Sequence, residues 1–271
     1  MIELNAPHGE DALEIIGHYM QNKPFVTSVD EKLVSRLMEG STCAELETVI
    51  NEAGLYAGFD RSDVITEKHF LKACMRLVFN VPVEGLHCTE EISGADKIHA
   101  AYHEAGHAVV MEALEPGSVA LLAVFKKTCG FGGIAVRATA EDLSAFANRE
   151  NSILTDLGGK AAVESVLGVH DIGAASDLNK AFRKVKHLVK DTCVAGLRYH
   201  GRWDDSQQLQ YEQEQATAAE VEQYLRRAKR IIADNHDLLV RLANELAEKN
   251  VLTMFDVQRI TSEASIVRHK I

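Results

Sequence analysis

The stretch Ala100-Ala-Tyr-His-Glu-Ala-Gly-His-Ala-Val-Val-Met-Glu-Ala113 organises the reading of the whole chain. It predicts a helix from about Ala95 to Leu114, stopped by Pro116-Gly117. His103 and His107 stand four apart, so on a helix they share one face, one turn apart. Two imidazoles placed in that way can reach a single zinc ion. Glu104 follows the first histidine and can point toward the same place without being a ligand, where a general base would take a proton from water. Ala105 and Gly106 would let the helix approach a neighbour closely, at some cost in intrinsic helicity. The same pattern arises by chance in other chains, and single helical histidines are usually structural. The stretch by itself therefore leaves a metal site and an ordinary helix face both open.

Upstream, four helices are predicted at about 10–21, 30–38, 42–58 and 66–79. The third carries Ala44, Leu46, Val49, Ile50, Ala53 and Leu55, with Ser41 or Thr42 as its cap. The fourth opens with Thr66 and has His69 where a capping box usually has an acid. Such a bundle has a modest core and is expected to lean on a partner. Pro82, Gly85 and Ser93-Gly94 mark residues 81–96 as a linker. Downstream, Val119–Phe125 reads as a buried strand and Gly132–Arg137 as a second, joined by a turn around Thr128–Gly130. Helices are predicted at 140–167, 176–197, 216–249 and 254–269, and the polar segment 198–215 as a loop. The expected fold is mainly α: a small four-helix bundle, then a mostly helical domain with a small β-sheet.

A chain of 271 residues can bury a real core and form two domains. Its net charge of −11 argues against a general nucleic-acid binder, and its basic runs at 183–186 and 226–230 read as solvated helix faces. Cys43, Cys74, Cys88, Cys129 and Cys193 are odd in number, are scattered and form no Cys-x-x-Cys pair. A thiolate zinc site is thereby disfavoured and a reducing compartment fits. The adjacent pairs His87-Cys88 and His170-Asp171 read as incidental, because neighbouring side chains diverge. Gly158-Gly159-Lys160-Ala161 lacks the spacing and hydroxyl of a phosphate-binding loop. No apolar run reaches about 20 residues, so no membrane span is expected within the chain.

Three separated blocks resemble a known family, the FtsH-type AAA+ ATP-dependent zinc metalloproteases. Ala101-Tyr-His-Glu-Ala-Gly-His-Ala-Val-Val110 is close to the family's active-site signature. Leu157-Gly-Gly-Lys-Ala-Ala-Val-Glu164 and Gly173-Ala-Ala-Ser-Asp-Leu178 resemble its Leu-Gly-Gly-Arg-x-Ala-Glu-Glu and Gly-Ala-Ser-Asn-Asp-Ile/Leu segments. Leu46-Glu-Thr-Val-Ile-Asn-Glu-Ala-Gly-Leu-Tyr-Ala57 resembles a helix in the lid of its ATPase module.

The resemblance implies a lid at 1–80 and a zinc peptidase domain at 97–271. It implies that Asp177, otherwise a helix cap, is the third zinc ligand beside His103 and His107, with Glu104 as the catalytic base. Glu164 matches the second of two paired acids and would orient a ligand histidine or form a surface ion pair; the first acid is Val163 here. Gly133, Ile134 and Ala135 resemble an edge strand to which an unfolded substrate adds, internal pairing being the simpler reading. The implied function is zinc-dependent endopeptidase, with unfolded or misfolded proteins as substrates and copies assembled as a hexamer. The location implied is cytoplasmic, in a parent protein anchored to a membrane. The family's phosphate loop, magnesium-binding acids and arginine finger have no counterpart in the chain, and Met1-Ile2-Glu3-Leu4 looks like the end of the ATPase core. That core is therefore expected in a longer parent chain or a separate one. Its Trp-Gly-x-Ser-x-x-Leu-Gly-Pro segment is replaced by 198–215. The rival expectation is a non-proteolytic adaptor with a structural zinc.

Overall fold

The computed structural model describes residues 6–7, 9–21, 23–24, 29–81, 94–126, 131–137, 146–200 and 206–270. Those residues form ten α-helices and one three-stranded antiparallel sheet, a mainly α architecture. Helices α1 (Gly9–Met20), α2 (Glu31–Leu37), α3 (Cys43–Phe59) and α4 (Glu67–Leu77) come first. Thr42 caps α3: its N–H donates to Glu45 Oε2 at 2.7 Å while Glu45 N–H donates to Thr42 Oγ1 at 3.3 Å. His69 takes the acid's place in the cap of α4, its Nδ1 accepting from Thr66 N–H at 3.1 Å. On α3, Leu46, Val49, Ile50 and Ala53 are buried as a helical period requires, whereas Ala44 and Leu55 face solvent.

These helices do not close a core alone. Ile16, Leu33, Ile50 and Phe70 pack in one cluster with Ala120, Leu121, Ala123 and Phe125 of strand β1 (Val119–Lys126). Each of the buried Ile, Leu and Phe side chains contributes about 1.5–3 kcal/mol. Arg36 Nη1 adds a hydrogen bond of 2.8 Å to Gly117 O across the junction. The β1 residues Val119, Leu122 and Val124 turn into the second core. Burial on both faces explains why β1 is a continuous apolar run rather than an alternating one. The sheet order is β2–β1–β3, with β2 at Phe131–Arg137 and β3 at Val251–Thr253.

The second core is built around α5 (Gly94–Leu114), which packs against both β1 and β2, α6 (Phe146–Val166), α8 (Gln207–Asp234) and α9 (His236–Lys249). Helix α7 (Ala175–Lys190) lies against α6 and α8, and α10 (Met254–Glu263) closes the chain's last turn onto the sheet. Glu112 sets the exit of α5 into β1, its carboxylate accepting from Gly117 N–H at 2.8 Å and Val119 N–H at 3.2 Å. At the far end, His269 N–H donates to Ala113 O at 3.0 Å, so the C-terminal segment holds the end of α5.

Several boundaries differ from the sequence expectation. Helix α8 begins at Gln207, capped by the Ser206 hydroxyl, within the segment read as a loop. Its polarity misled: Gln and Glu are good helix formers, and Gln213 is buried with Nε2 donating to Tyr199 O at 2.9 Å. The single helix expected at 216–249 is two, broken at Asn235, whose side chain donates to Ile231 O at 3.0 Å and Val267 O at 3.1 Å. Helix α7 stops at Lys190, ahead of positive φ at Cys193 and Gly196. Helix α10 stops at Glu263, and β3 was not anticipated. Residues 82–93 of the expected linker, the turn at 128–130 and the start of the helix at 140–145 lie outside the described residues.

Candidate metal centre

The centre forms where α5 crosses α6, and glycines set how closely they cross. A Cβ on Gly106 would lie 2.4 Å from Gly158 O, and one on Gly158 would lie 2.7 Å from Gly106 O. Backbone meets backbone there, with no flexible side chain to move aside. Gly106→Ala is expected to destabilise the metal-free protein by about 1–3 kcal/mol, the usual cost of overpacking. Urea unfolding checks this; an unchanged midpoint would mean that the helices cross with room to spare.

This crossing fixes the imidazoles. A Cβ on Gly159 of α6 would lie 2.6 Å from His103 Nδ1 and 2.7 Å from His107 Nε2. His107 Nδ1 lies 2.6 Å from Thr155 O, an acceptor only, so Nδ1 carries the hydrogen. His103 Nδ1 lies 2.6 Å from Asp171 Oδ2, which by the same logic accepts from it. Both Nε2 atoms are thereby turned to the same place, 3.1 Å apart, with the ring planes at 82°. Asp177, in the first turn of α7, brings its Oδ2 to 3.2 Å from His103 Nε2 and 3.6 Å from His107 Nε2. Lys180 Nζ donates to the other oxygen of Asp177 at 2.9 Å.

One ligand atom from each of His103, His107 and Asp177 lies within 4.8 Å of the other two. Two imidazole nitrogens and a carboxylate oxygen, turned together in a largely buried place, are a donor set that suits zinc and leaves a fourth position open. In the metal-free site the surrounding carboxylates favour a proton on His103, which a metal must displace. Burial opposes charge on His103, yet its hydrogen bonds to Asp171 and Asp177 overcome this and raise its pKa to about 10. Burial likewise works against the Asp177 carboxylate, but hydrogen bonds with His103 and His107 hold it far below the ordinary carboxylate range.

Glu104 is buried beside this cluster, against strand β2. A Cβ on Gly133 would lie 2.4 Å from Glu104 Oε1, so only glycine lets the strand come this close to the carboxylate. A cleft of about 310 Å³ is lined by Glu104, the two histidines, Asp177, Lys180 and the β2 backbone at Gly132–Ala135. In β2, Gly133, Ile134 and Ala135 pair with Val124, Ala123 and Leu122 of β1; among the described residues the other edge of β2 has no strand on it.

Glu164 does not reach the histidines. It is engaged by Lys160, by Lys229 Nζ at 2.8 Å and by His170 Nδ1 at 3.6 Å, and these lysines lower its pKa to about 2 against the effect of burial. Five residues beyond Gly159, it sits about 140° round the helix from the face that meets the site. The carboxylate on His103 is instead Asp171, which sequence reading passed over in the pair His170-Asp171. The pair does diverge: the His170 side chain is 99% exposed and that of Asp171 fully buried. Neither the Thr155 carbonyl nor the close approaches at Gly133 and Gly159 carries a local sequence signal.

Residues 90–260 match the profile of peptidase family M41. Among the relatives, the ATP-dependent zinc metalloprotease FtsH of Caldicellulosiruptor bescii is 26% identical over 282 residues, covering 97% of this chain and 45% of the relative. The protein of the same name from Thermotoga maritima is 28% identical over 273 residues, covering 92% of this chain and 44% of its own length. ATP-dependent zinc metalloprotease FtsH 2 of a Thermoanaerobacter species is 26% identical, with 97% of this chain and 51% of the relative covered. The chain spans about half the length of the relatives it matches. The matched profile takes in the histidines of α5, the crossing with α6 and Asp177 alike, and the chain belongs to peptidase family M41.

Proposed function

We propose that the chain is the proteolytic part of a zinc-dependent endopeptidase, with His103, His107 and Asp177 as metal ligands. The observation that carries this is the convergence of those three donors in a cleft that also holds Glu104 and the edge of β2. Zinc bound there supplies Lewis acidity, polarising a carbonyl and making water acidic enough to lose its proton near neutral pH. Glu104 takes that proton on a carboxylate oxygen and passes it to the leaving amine. Asp171 and the Thr155 carbonyl keep the hydrogens on Nδ1, leaving the Nε2 lone pairs for the metal. The outer edge of β2 at Gly133–Ala135 binds an extended peptide through its backbone, a mode that reads little side-chain sequence and suits unfolded or misfolded protein.

By analogy with the relatives, whose names describe ATP-dependent enzymes, the four N-terminal helices act as the lid of an ATPase module. Their shared core with β1 offers a path by which lid movement reaches the sheet beside the cleft. In this reading the 81–96 segment links lid to peptidase domain, and copies work as a hexamer together with the ATPase core, on the cytoplasmic side of a membrane-anchored parent. Among the described residues no helix is long and apolar enough to cross a membrane.

A small unstructured peptide tests the chemistry without ATP-driven unfolding. Cleavage is expected from the zinc-loaded chain, lost with a chelator and restored by added zinc. A zinc-loaded chain that leaves the peptide intact would contradict the reading and favour a structural metal.

A further inference from the structure

We propose that Asp171 is the positioning residue of the metal centre, fixing His103 as a ligand. The inference rests on the zinc-centre reading above. The Asp171 side chain has no exposed surface and is held at both oxygens. Oδ2 accepts from His103 Nδ1 at 2.6 Å, and Oδ1 accepts from Gly173 N–H at 3.0 Å. His99 Nε2, half-buried at the rim, lies 3.6 Å from Oδ1, close enough for charge but not for a hydrogen bond.

Asp171 caps the 3₁₀ turn Ile172–Ala174, and the same turn delivers Asp177 into α7. One short segment therefore grips both nitrogens of one imidazole: Asp171 on Nδ1 and Asp177 facing Nε2. The first carboxylate selects the tautomer that exposes the Nε2 lone pair, and its charge makes that nitrogen a better donor.

Position 163 of α6 offers no acid of its own. Val163 lies one turn beyond Gly159, on nearly the same face of α6, and is fully buried. Gly159 is the residue whose Cβ would lie 2.6 Å from His103 Nδ1. The motif that 157–164 resembles has an acid where Val163 stands, and valine can accept no hydrogen bond. His107, by contrast, is held by the neutral Thr155 carbonyl. The two histidines are thus supported unequally, and the anionic support falls on His103.

The test uses the full chain as Asp171→Asn and Asp171→Ala, with zinc affinity measured by competition against a chromophoric chelator. Alanine is expected to weaken zinc binding about 10–100-fold, the usual effect of losing such a partner. Asparagine keeps the shape and can still accept from Nδ1–H without the charge, so a smaller loss is expected, with thermal unfolding of the metal-free form near that of the unsubstituted chain. For peptide cleavage, kcat should fall with KM unchanged. Zinc affinities within twofold of the unsubstituted chain in both variants would overturn the proposal and leave the metal-centre reading intact. So would an asparagine variant that loses as much metal-free stability as alanine, with its zinc affinity lost in step, since that marks a purely structural role. An unsubstituted chain that takes up no zinc would overturn both.

Discussion

Glu104→Gln is expected to lower kcat for peptide cleavage about 10²–10⁴-fold, the range a positioned general acid–base supplies, while zinc affinity stays as it was. The substitution keeps the shape that fits beneath Gly133, where the neighbouring strand leaves no room for a larger or displaced group. Glu104 is outside the set of three residues whose ligand atoms converge, so the metal loses no donor. What disappears is the ability to take a proton from water and return it to the amine. The neutral amide has no carboxylate to do either. Cleavage rates and zinc titration on the same preparation separate the two effects. Unaltered cleavage would remove Glu104 from the mechanism.

Asp177→Asn is expected to act on the metal itself, with a fall in zinc affinity of about 10²-fold or more, beyond the 10–100-fold that outer partners command. Asparagine preserves the side chain's shape in the first turn of α7 but removes the ligand's charge. Its amide can also turn a hydrogen toward the Nε2 atoms of His103 and His107, which now lie 3.2 and 3.6 Å from Asp177 Oδ2. Lys180 loses its closest carboxylate partner in the same step, so its positive charge beside the cleft is less balanced. Both changes oppose a bound cation. Competition titration reads the loss directly, and an unchanged zinc affinity would reduce Asp177 to an acidic first-turn residue of α7 paired with Lys180.

The parts of the candidate centre that the sequence suggests by itself are those that a single helix encodes. The spacing of His103, Glu104 and His107 on α5 offers a metal site beside an ordinary helix face, and Pro116-Gly117 marks the helix end. Strand β1 was legible because burial on both faces leaves an unbroken apolar run. Asp177 needed a resemblance, because no local rule connects a residue on α7 with histidines on α5. Asp171 was missed for the same reason: only the chain's reversal through the 3₁₀ turn brings it to His103. Glu164 shows the complementary case: of the two readings open for it, its surroundings fit the ion pair. A motif position specifies a residue type, but the helical period of α6 turns this one toward Lys229 of α8 and away from the site.

The fold boundaries that went astray have tertiary causes as well. Asn235 divides α8 from α9 because its amide bonds to the backbone of residue 267, a contact that no window along the chain contains. Strand β3 has three residues and exists because β1 offers it an edge. The N-terminal bundle was expected to lean on a partner, and the surface it leans on is the back of the sheet.

X-ray absorption at the zinc edge of the loaded chain tests the central claim most directly. The account predicts one zinc per chain, with two imidazole nitrogens at about 2.0–2.1 Å and oxygen at about 2.0–2.2 Å, and no sulfur. A sulfur at about 2.3 Å, or a spectrum lacking imidazole scattering, would contradict it.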